Sequence, residues 1–385
     1  MRGFRRLSVC VLALALVAAS CGRDSGGSGS YPANSNTSVV NGNRGASLNA
    51  EPPPAGESYA RVHDNPYVDA AVEPVSTFSI DVDTASYANV RRFLTDGQLP
   101  PRDAVRIEEL VNYFTYDYAE PAGDVPFSVA SELAACPWNP RNHLLRIGLK
   151  GREVSTEQLP PANLVFLVDT SGSMSDDNKL PLLKSCLRVL VEALRPEDRV
   201  AIVTYAGTSG LALASTSGDR KWEILSAIDQ LESGGGTNGS AGIQLAYETA
   251  LAGMVPHGIN RVILATDGDF NVGITDQGEL VRLIEQKREA RVFLSVVGLG
   301  TGNLRDATME RLADLGNGNY AYVDSLAEGR RIFGRELTGT LHTIAKDVKI
   351  QVAFDRAAVA RYRLVGYENR VLANRDFADD AKDAS

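Results

Sequence analysis

The run Asn163-Leu-Val-Phe-Leu-Val-Asp-Thr-Ser-Gly-Ser-Met174 constrains this chain more than any other segment. It has the length of a buried strand and no polar residue from Leu164 to Val168, so both of its faces must be covered. It ends on Asp169, and Ser171 and Ser173 follow at alternating positions on a sharp turn through Gly172. Three hard oxygen donors spaced in this way suit a small divalent cation such as Mg²⁺ or Mn²⁺.

From residue 163 to about 345, similar apolar runs alternate with amphipathic helical patterns. Strands are expected at 164–168, 200–205, 211–214, 262–266, 292–297 and 320–323, and helices at 182–194, 222–231, 242–251, 279–288, 305–313 and 327–344. Near-continuous apolar strands alternating with helices imply a parallel α/β sheet covered on both faces. The short link 206–210 cannot hold a crossover helix, so the third strand should pair antiparallel, as a hairpin. On one of the helical stripes, Leu183, Cys186, Leu187, Leu190, Val191 and Leu194 recur at helical spacing, which makes Cys186 a buried thiol; a disulfide to Cys136 is not expected.

Two more oxygen donors lie downstream: Thr237 in Ser233-Gly-Gly-Gly-Thr-Asn238, and Asp267 in Leu264-Ala-Thr-Asp-Gly-Asp269 at the end of another apolar run. Together, Asp169, Ser171, Ser173, Thr237 and Asp267 resemble the metal-ion-dependent adhesion site of von Willebrand factor A domains, with all five positions in order. The resemblance implies a doubly wound, mostly parallel sheet of order 3-2-1-4-5-6 with an antiparallel third strand. Asp169 and Asp267 would then end neighbouring strands at the switch point, where open α/β sheets bind ligands. It also implies that Ser171, Ser173 and Thr237 coordinate the ion, that Asp169 and Asp267 act largely through bound waters, and that a protein partner's Glu or Asp takes the open position. Mg²⁺ is the first expectation for the ion, with Mn²⁺ or Ca²⁺ as alternatives. Two carboxylates and three hydroxyls around a divalent ion are near neutral, so an acidic group can join without accumulating negative charge. Because the site lies at loop tips, Asp169 is expected to be removable without loss of the fold, and Asp169 and Asp267 to repel each other when no ion is bound. The same residue types also cap helices and turns, which leaves a metal-independent scaffold as the alternative.

The amino terminus carries Arg2, Arg5 and Arg6, an apolar run from 7 to 17, and Ala18-Ala19-Ser20 before Cys21. The run is too short to span a bilayer, so residues 1–20 are expected to be a processed signal. Small residues before a Cys resemble a bacterial lipobox, which implies lipidation at Cys21, a membrane anchor and a place in the bacterial cell envelope. Gly22 after that Cys resembles outer-membrane sorting in Gram-negative bacteria. Residues 21–58, rich in Gly, Ser, Asn and Pro, are expected to be a flexible tether. Removing residues 1–20 takes three arginines and no acid, which moves the net charge from −9 to −12. No basic stripe survives that balance, so nucleic acid is not an expected partner.

Residues 59–160 and 347–385 flank the A domain at 161–346. Strands are expected at 78–82, 127–133, 143–150, 348–354 and 360–367, and helices at 87–94 and 104–114. Strands on both sides of one compact domain suggest that it is inserted in a β-rich domain whose halves meet around it. Asn65-Pro-Tyr-Val-Asp69, Phe78-Ser-Ile-Asp-Val-Asp-Thr-Ala-Ser-Tyr87, Arg106-Ile-Glu-Glu-Leu-Val-Asn-Tyr-Phe114, Cys136-Pro-Trp-Asn139 and Tyr362-Arg-Leu-Val-Gly-Tyr-Glu-Asn-Arg370 are similar to YfbK-type bacterial von Willebrand factor A lipoproteins. The carboxyl-terminal region of that family continues past this chain's last residue, so 347–385 is expected to be only its beginning.

No catalytic residue is expected. Asp81-Val-Asp-Thr84 resembles the nucleophile motif of haloacid-dehalogenase-type phosphatases, the basis for an envelope phosphohydrolase as a weaker alternative, but it is read instead as the cap of a helix beginning near Ser86. Gly298-Leu-Gly-Thr-Gly-Asn303 lacks the acidic ribose partner of a dinucleotide site, and Ser233-Gly-Gly-Gly-Thr237 lacks the Gly-Lys of a P-loop. Asp269, Asn271 and Gly273 lack a terminal bidentate Glu and read as a surface turn. His63, His143, His257 and His342 sit near none of the site serines in sequence, and His257 should fall at the far end of the fourth strand.

Overall fold

The computed structural model describes residues 56–155, 158–235, 239–268, 277–336, 348–374 and 377. Cys21 and the signal segment, Thr237, the turn at Asp269, Asn271 and Gly273, and His342 lie outside the described residues. The elements run β1 (Val68–Asp69), β2 (Val75–Ser79), α1 (Ala85–Thr95), α2 (Ile107–Asn112), β3 (Phe127–Ala135) and β4 (His143–Gly151). Then follow β5 (Ala162–Asp169), α3 (Leu180–Ala193), β6 (Arg199–Tyr205), β7 (Ser209–Ser217), α4 (Lys221–Asp229), α5 (Gly239–Ala252) and β8 (Ile259–Thr266). The chain continues through α6 (Gln277–Glu289), β9 (Phe293–Leu299), α7 (Asp306–Leu315), β10 (Tyr320–Val323), α8 (Leu326–Arg331), β11 (Lys349–Ala353) and β12 (Arg361–Tyr362).

Six strands form one sheet in the order β10-β9-β8-β5-β6-β7. Numbered within the domain, this is the doubly wound order 3-2-1-4-5-6. The β5, β6, β8, β9 and β10 pairings are parallel, and β7 runs antiparallel to β6. Every residue of β5 and β8 is buried, as two-faced coverage of a central parallel strand requires. Alternate β5 side chains enter opposite cores. Leu164, Phe166 and Val168 pack in a cluster with Leu183, Cys186, Leu187 and Leu190 of α3, and with Ile224 and Phe333. Val165 and Leu167 join Ile243, Ala246 and Tyr247 of α5, Ile284 of α6 and Met309 of α7. Cys186 is a buried free thiol, and burial pushes its pKa up to about 12.

The flank contributes to this core. Ala85 and Ala88 of α1 lie in the same cluster as α5, α6 and α7, because a small side chain lets the helix approach β10 closely. Beneath α2, Arg106 is buried against Glu109, Asp306 and Glu310, so a charged layer joins the flank to α7. Ser86 N in the first turn of α1 donates to Glu109 Oε2 (2.7 Å), and Thr84 makes no side-chain cap. That corrects the reading of Asp81-Val-Asp-Thr84 as the helix cap: a carboxylate from α2 supplies it.

The two flanks pair with each other. β2 and β11 run antiparallel from Lys349↔Ser79 to Ala353↔Val75, and β1 and β12 pair at Val68↔Tyr362 and Asp69↔Arg361. The β3–β4 hairpin, expected to share their sheet, pairs with no other strand among the described residues. Its Gly148 instead receives the ring of Tyr118, whose hydroxyl also accepts from Arg146 (2.8 Å). Two elements are shorter than expected. The helix at 104–114 splits into a 3₁₀ turn, Arg102–Ala104, and α2; the strand at 360–367 is confined to β12, whose partner β1 is itself two residues long, and the chain turns at Gly366 and Tyr367, both at positive φ. α8 passes into a π turn, Ile332–Glu336.

Candidate metal site

Parallel pairing of β5 with β8, from Ala162↔Ile259 to Val168↔Ala265, brings Asp169, Thr266 and Asp267 to one edge of the sheet. This is the edge at which the strand order turns, with β6 on the other side of β5. Asp169 is fully buried and held by three donors. Its Oδ1 accepts from Ser171 N (2.9 Å), and its Oδ2 from the hydroxyls of Tyr205 (3.0 Å) and Thr266 (3.1 Å). Burial pushes its carboxyl above the usual carboxylate range and the charge of Asp267 adds to this, against the Ser171 and Tyr205 donors.

The turn after β5 places Ser171 Oγ and Ser173 Oγ 3.0 Å apart. The loop leading to Thr237 is tied to this turn by Gly234 N donating to Thr170 O (2.7 Å) and Gly172 N to Gly235 O (3.2 Å). Asp267 is fully buried; its Oδ2 accepts from Lys179 Nζ (3.0 Å), whereas its Oδ1 is buried without a hydrogen-bond partner. Lys179 Nζ also donates to the carbonyl of Ser173 (3.0 Å) and to Asn303 Oδ1 (3.3 Å). Burial alone would raise the Asp267 carboxyl, but the Asn303 and Ser173 side chains and the Lys179 ammonium outweigh it and hold it below the usual range.

The structure thus brings together Asp169, Ser171, Ser173 and Asp267, while Thr237 lies just past the described part of its loop. It corrects two expectations. Asp169 is not an expendable loop-tip ligand, because three groups donate to it, and Asp267 does not face Asp169 unopposed, because Lys179 is paired with it. The sequence reading missed Tyr205, Thr266, Lys179 and Asn303. Tyr205 and Thr266 end the strands flanking β5, so strand order alone nominates them; Lys179 and Asn303 carry no such signal.

The donors fit a small divalent cation, since a buried carboxylate oxygen lacking a donor and two converging hydroxyls form a hard oxygen set. Among the described residues no group of three or more His, Cys, Asp or Glu side chains could hold a metal, so a site here depends on its hydroxyls. A groove of about 520 Å³, lined by Ser175, Leu180, Lys184, Arg188, Leu231 and Ser233, lies beside the serine turn. His257 sits in the turn before β8, at the opposite end of that strand from Asp267. Asp81 and Asp83 are buried under the flank: Asp81 accepts from Asp83 N (2.9 Å) and Arg370 Nε (3.4 Å), and Asp83 from Tyr320 N (2.9 Å).

Residues 163–334 match the von Willebrand factor type A domain family, 53–146 the family described as von Willebrand factor, and 339–385 the family described as uncharacterized protein YfbK, C-terminal. The uncharacterized protein YfbK of Escherichia coli (strain K12) is 49% identical over 86% of this chain, and the chain spans 59% of YfbK. Among solved structures, von Willebrand factor type A from Catenulispora acidiphila is 18% identical, with a TM-score of 0.43, covering 59% of this chain and 51% of its own. Proximal thread matrix protein 1 from the mussel byssus, solved with a zinc-occupied metal-ion-dependent adhesion motif, is 20% identical with a TM-score of 0.37, covering 54% of this chain and 49% of its own.

Proposed function

The chain is a relative of YfbK built around a von Willebrand factor type A domain, and from that premise we propose that it is a lipid-anchored protein-binding module of the bacterial cell envelope. In this reading a divalent cation, Mg²⁺ first, is held by Ser171, Ser173 and Thr237, with Asp169 and Asp267 behind them. The bound ion supplies an open coordination position for a carboxylate, and a partner's exposed Glu or Asp fills it. The observation that carries the reading is the convergence at the carboxyl edge of the sheet: paired hydroxyls of Ser171 and Ser173 beside an Asp267 oxygen that is buried without a donor. A buried acceptor without a donor costs free energy, and a cation removes that cost.

The chain's own residues have separable roles. Asp169 organises the serine turn through Ser171 N and anchors it to β6 and β8 through Tyr205 and Thr266. Ser173 is exposed, and its hydroxyl meets that of the buried Ser171. The groove past Ser175 leaves room for the partner's neighbouring residues. Binding is favoured over catalysis because both carboxylates of the Asp81-Val-Asp83 segment are buried away from any substrate: Asp81 is engaged by Arg370, and Asp83 accepts from Tyr320 N through one oxygen while its other is buried without a partner. Cys21 is the proposed lipidation site.

The test is capture from native envelope extract on immobilised protein, with Mg²⁺ and with chelator. A partner retained only with Mg²⁺, lost with Ser173→Ala and Thr237→Ala, and released by free acidic peptide supports the reading. Retention unchanged by chelator and by both substitutions would favour the metal-independent scaffold.

A further inference from the structure

Lys179 directly precedes α3, and its side chain is only 5% exposed. Gly300 gives it room, because a Cβ there would collide with the Lys179 stem. The ammonium lies 3.0 Å from Asp267 Oδ2, 3.0 Å from the Ser173 carbonyl, 3.3 Å from Asn303 Oδ1 and 3.6 Å from Asp176 Oδ2. Two of these groups belong to residues of the metal donor set. A fixed positive charge is therefore already seated on the carboxylate that a divalent ion would use. A neutral side chain could hold the Ser173 carbonyl and Asn303 equally well, so the charge itself calls for an explanation.

We infer that Lys179 sets the affinity of this site: its ammonium neutralises Asp267 from the Oδ2 side, opposes a divalent ion on the Oδ1 side by like-charge repulsion, and is driven away from Asp267 when the ion binds. The inference rests on the metal reading above. Like charges repel strongly in a site shielded from water, and an ion at Oδ1 and the ammonium at Oδ2 would share one carboxylate. Without metal, the same ammonium keeps the two buried carboxylates from facing each other uncompensated, so the domain stays folded while unloaded.

The test is calorimetric titration of Mn²⁺ into the full chain, comparing wild type with Lys179→Gln, which keeps a donor toward the Ser173 carbonyl, and with Lys179→Met. Both variants are expected to bind Mn²⁺ tighter by about tenfold or more. Equal or weaker affinity in the variants, with wild type binding normally, would overturn the role of Lys179 and leave the metal reading standing. Absence of binding in wild type and variants alike would end both. Thermal melts without metal establish that the variants fold. Should neither fold, reductive methylation of wild-type Lys179, followed by mass spectrometry, decides the question. Methylation should be slow without metal and faster with Mn²⁺, and a rate unchanged or slowed by Mn²⁺ would overturn the inference.

Discussion

Asp169→Ala should destabilise the protein in the absence of any metal. The substitution removes the acceptor used by three groups, Ser171 N and the hydroxyls of Tyr205 and Thr266, both on side chains with no more than a trace of solvent access. Each buried donor left without an acceptor costs about 1–3 kcal/mol. Against this, burial already penalises the Asp169 carboxylate, so its removal returns part of the loss. The net expectation is roughly 2–5 kcal/mol, or a melting temperature lower by about 5–15 °C for a domain of this size. Asp169→Asn, which keeps one acceptor oxygen, should lose less than half as much. Adding Tyr205→Phe to Asp169→Ala removes one of these three groups and should recover about 1 kcal/mol relative to additivity. Urea unfolding in chelator measures all of these. An Asp169→Ala protein within about 0.5 kcal/mol of wild type would refute the organising role and return Asp169 to the status of a simple ligand.

Three further outcomes are expected. Burial raises the carboxyls of Glu109 and Glu310, the latter to about 8, beside Arg106, Asp306 and Asp314 in the layer between α2 and α7. The folded state then holds protons that the unfolded state releases near pH 4.5, so this contribution is complete below that pH and is lost as pH rises through about 8, at roughly 1.4 kcal/mol per pH unit per proton. Protection factors in α2, corrected for the intrinsic pH dependence of exchange, should fall over that range, and less so in Glu310→Gln; a flat profile in wild type would contradict the assignment. Gly329→Ala points a methyl at Cys186 Sγ and should cost about 1–3 kcal/mol in urea unfolding, most of it recovered in the double variant with Cys186→Ala. Cys21→Ser should release the protein from membranes, and sedimentation with membranes after a high-salt wash would contradict the anchor.

The A domain was legible in the sequence because its strands are buried on both faces and must therefore read as apolar runs, as Leu164 to Val168 and Val262 to Thr266 do. The short link after β6 revealed the antiparallel strand for a geometric reason, since it cannot carry a helix. The flank was less legible. Phe127–Ala135 and His143–Gly151 have strand composition, but nothing in their pattern states that β2, not this hairpin, receives Lys349–Ala353. In the site, the donors of the motif could be named from the residues themselves. Lys179 could not, because a lysine at the start of a helix is usually a solvated side chain, and its burial depends on Gly300, far away in sequence. Asn303 likewise reaches the site through a loop whose direction only the packing of β9 against β8 sets.

The most direct measurement is anomalous diffraction from a crystal grown or soaked with Mn²⁺. A manganese peak within coordination distance of Ser171 Oγ and Ser173 Oγ, on the side of Asp267 Oδ1, is the predicted result. Well-occupied manganese elsewhere in the crystal, with none at the serine turn, would contradict the metal site and leave the von Willebrand factor type A domain as a scaffold.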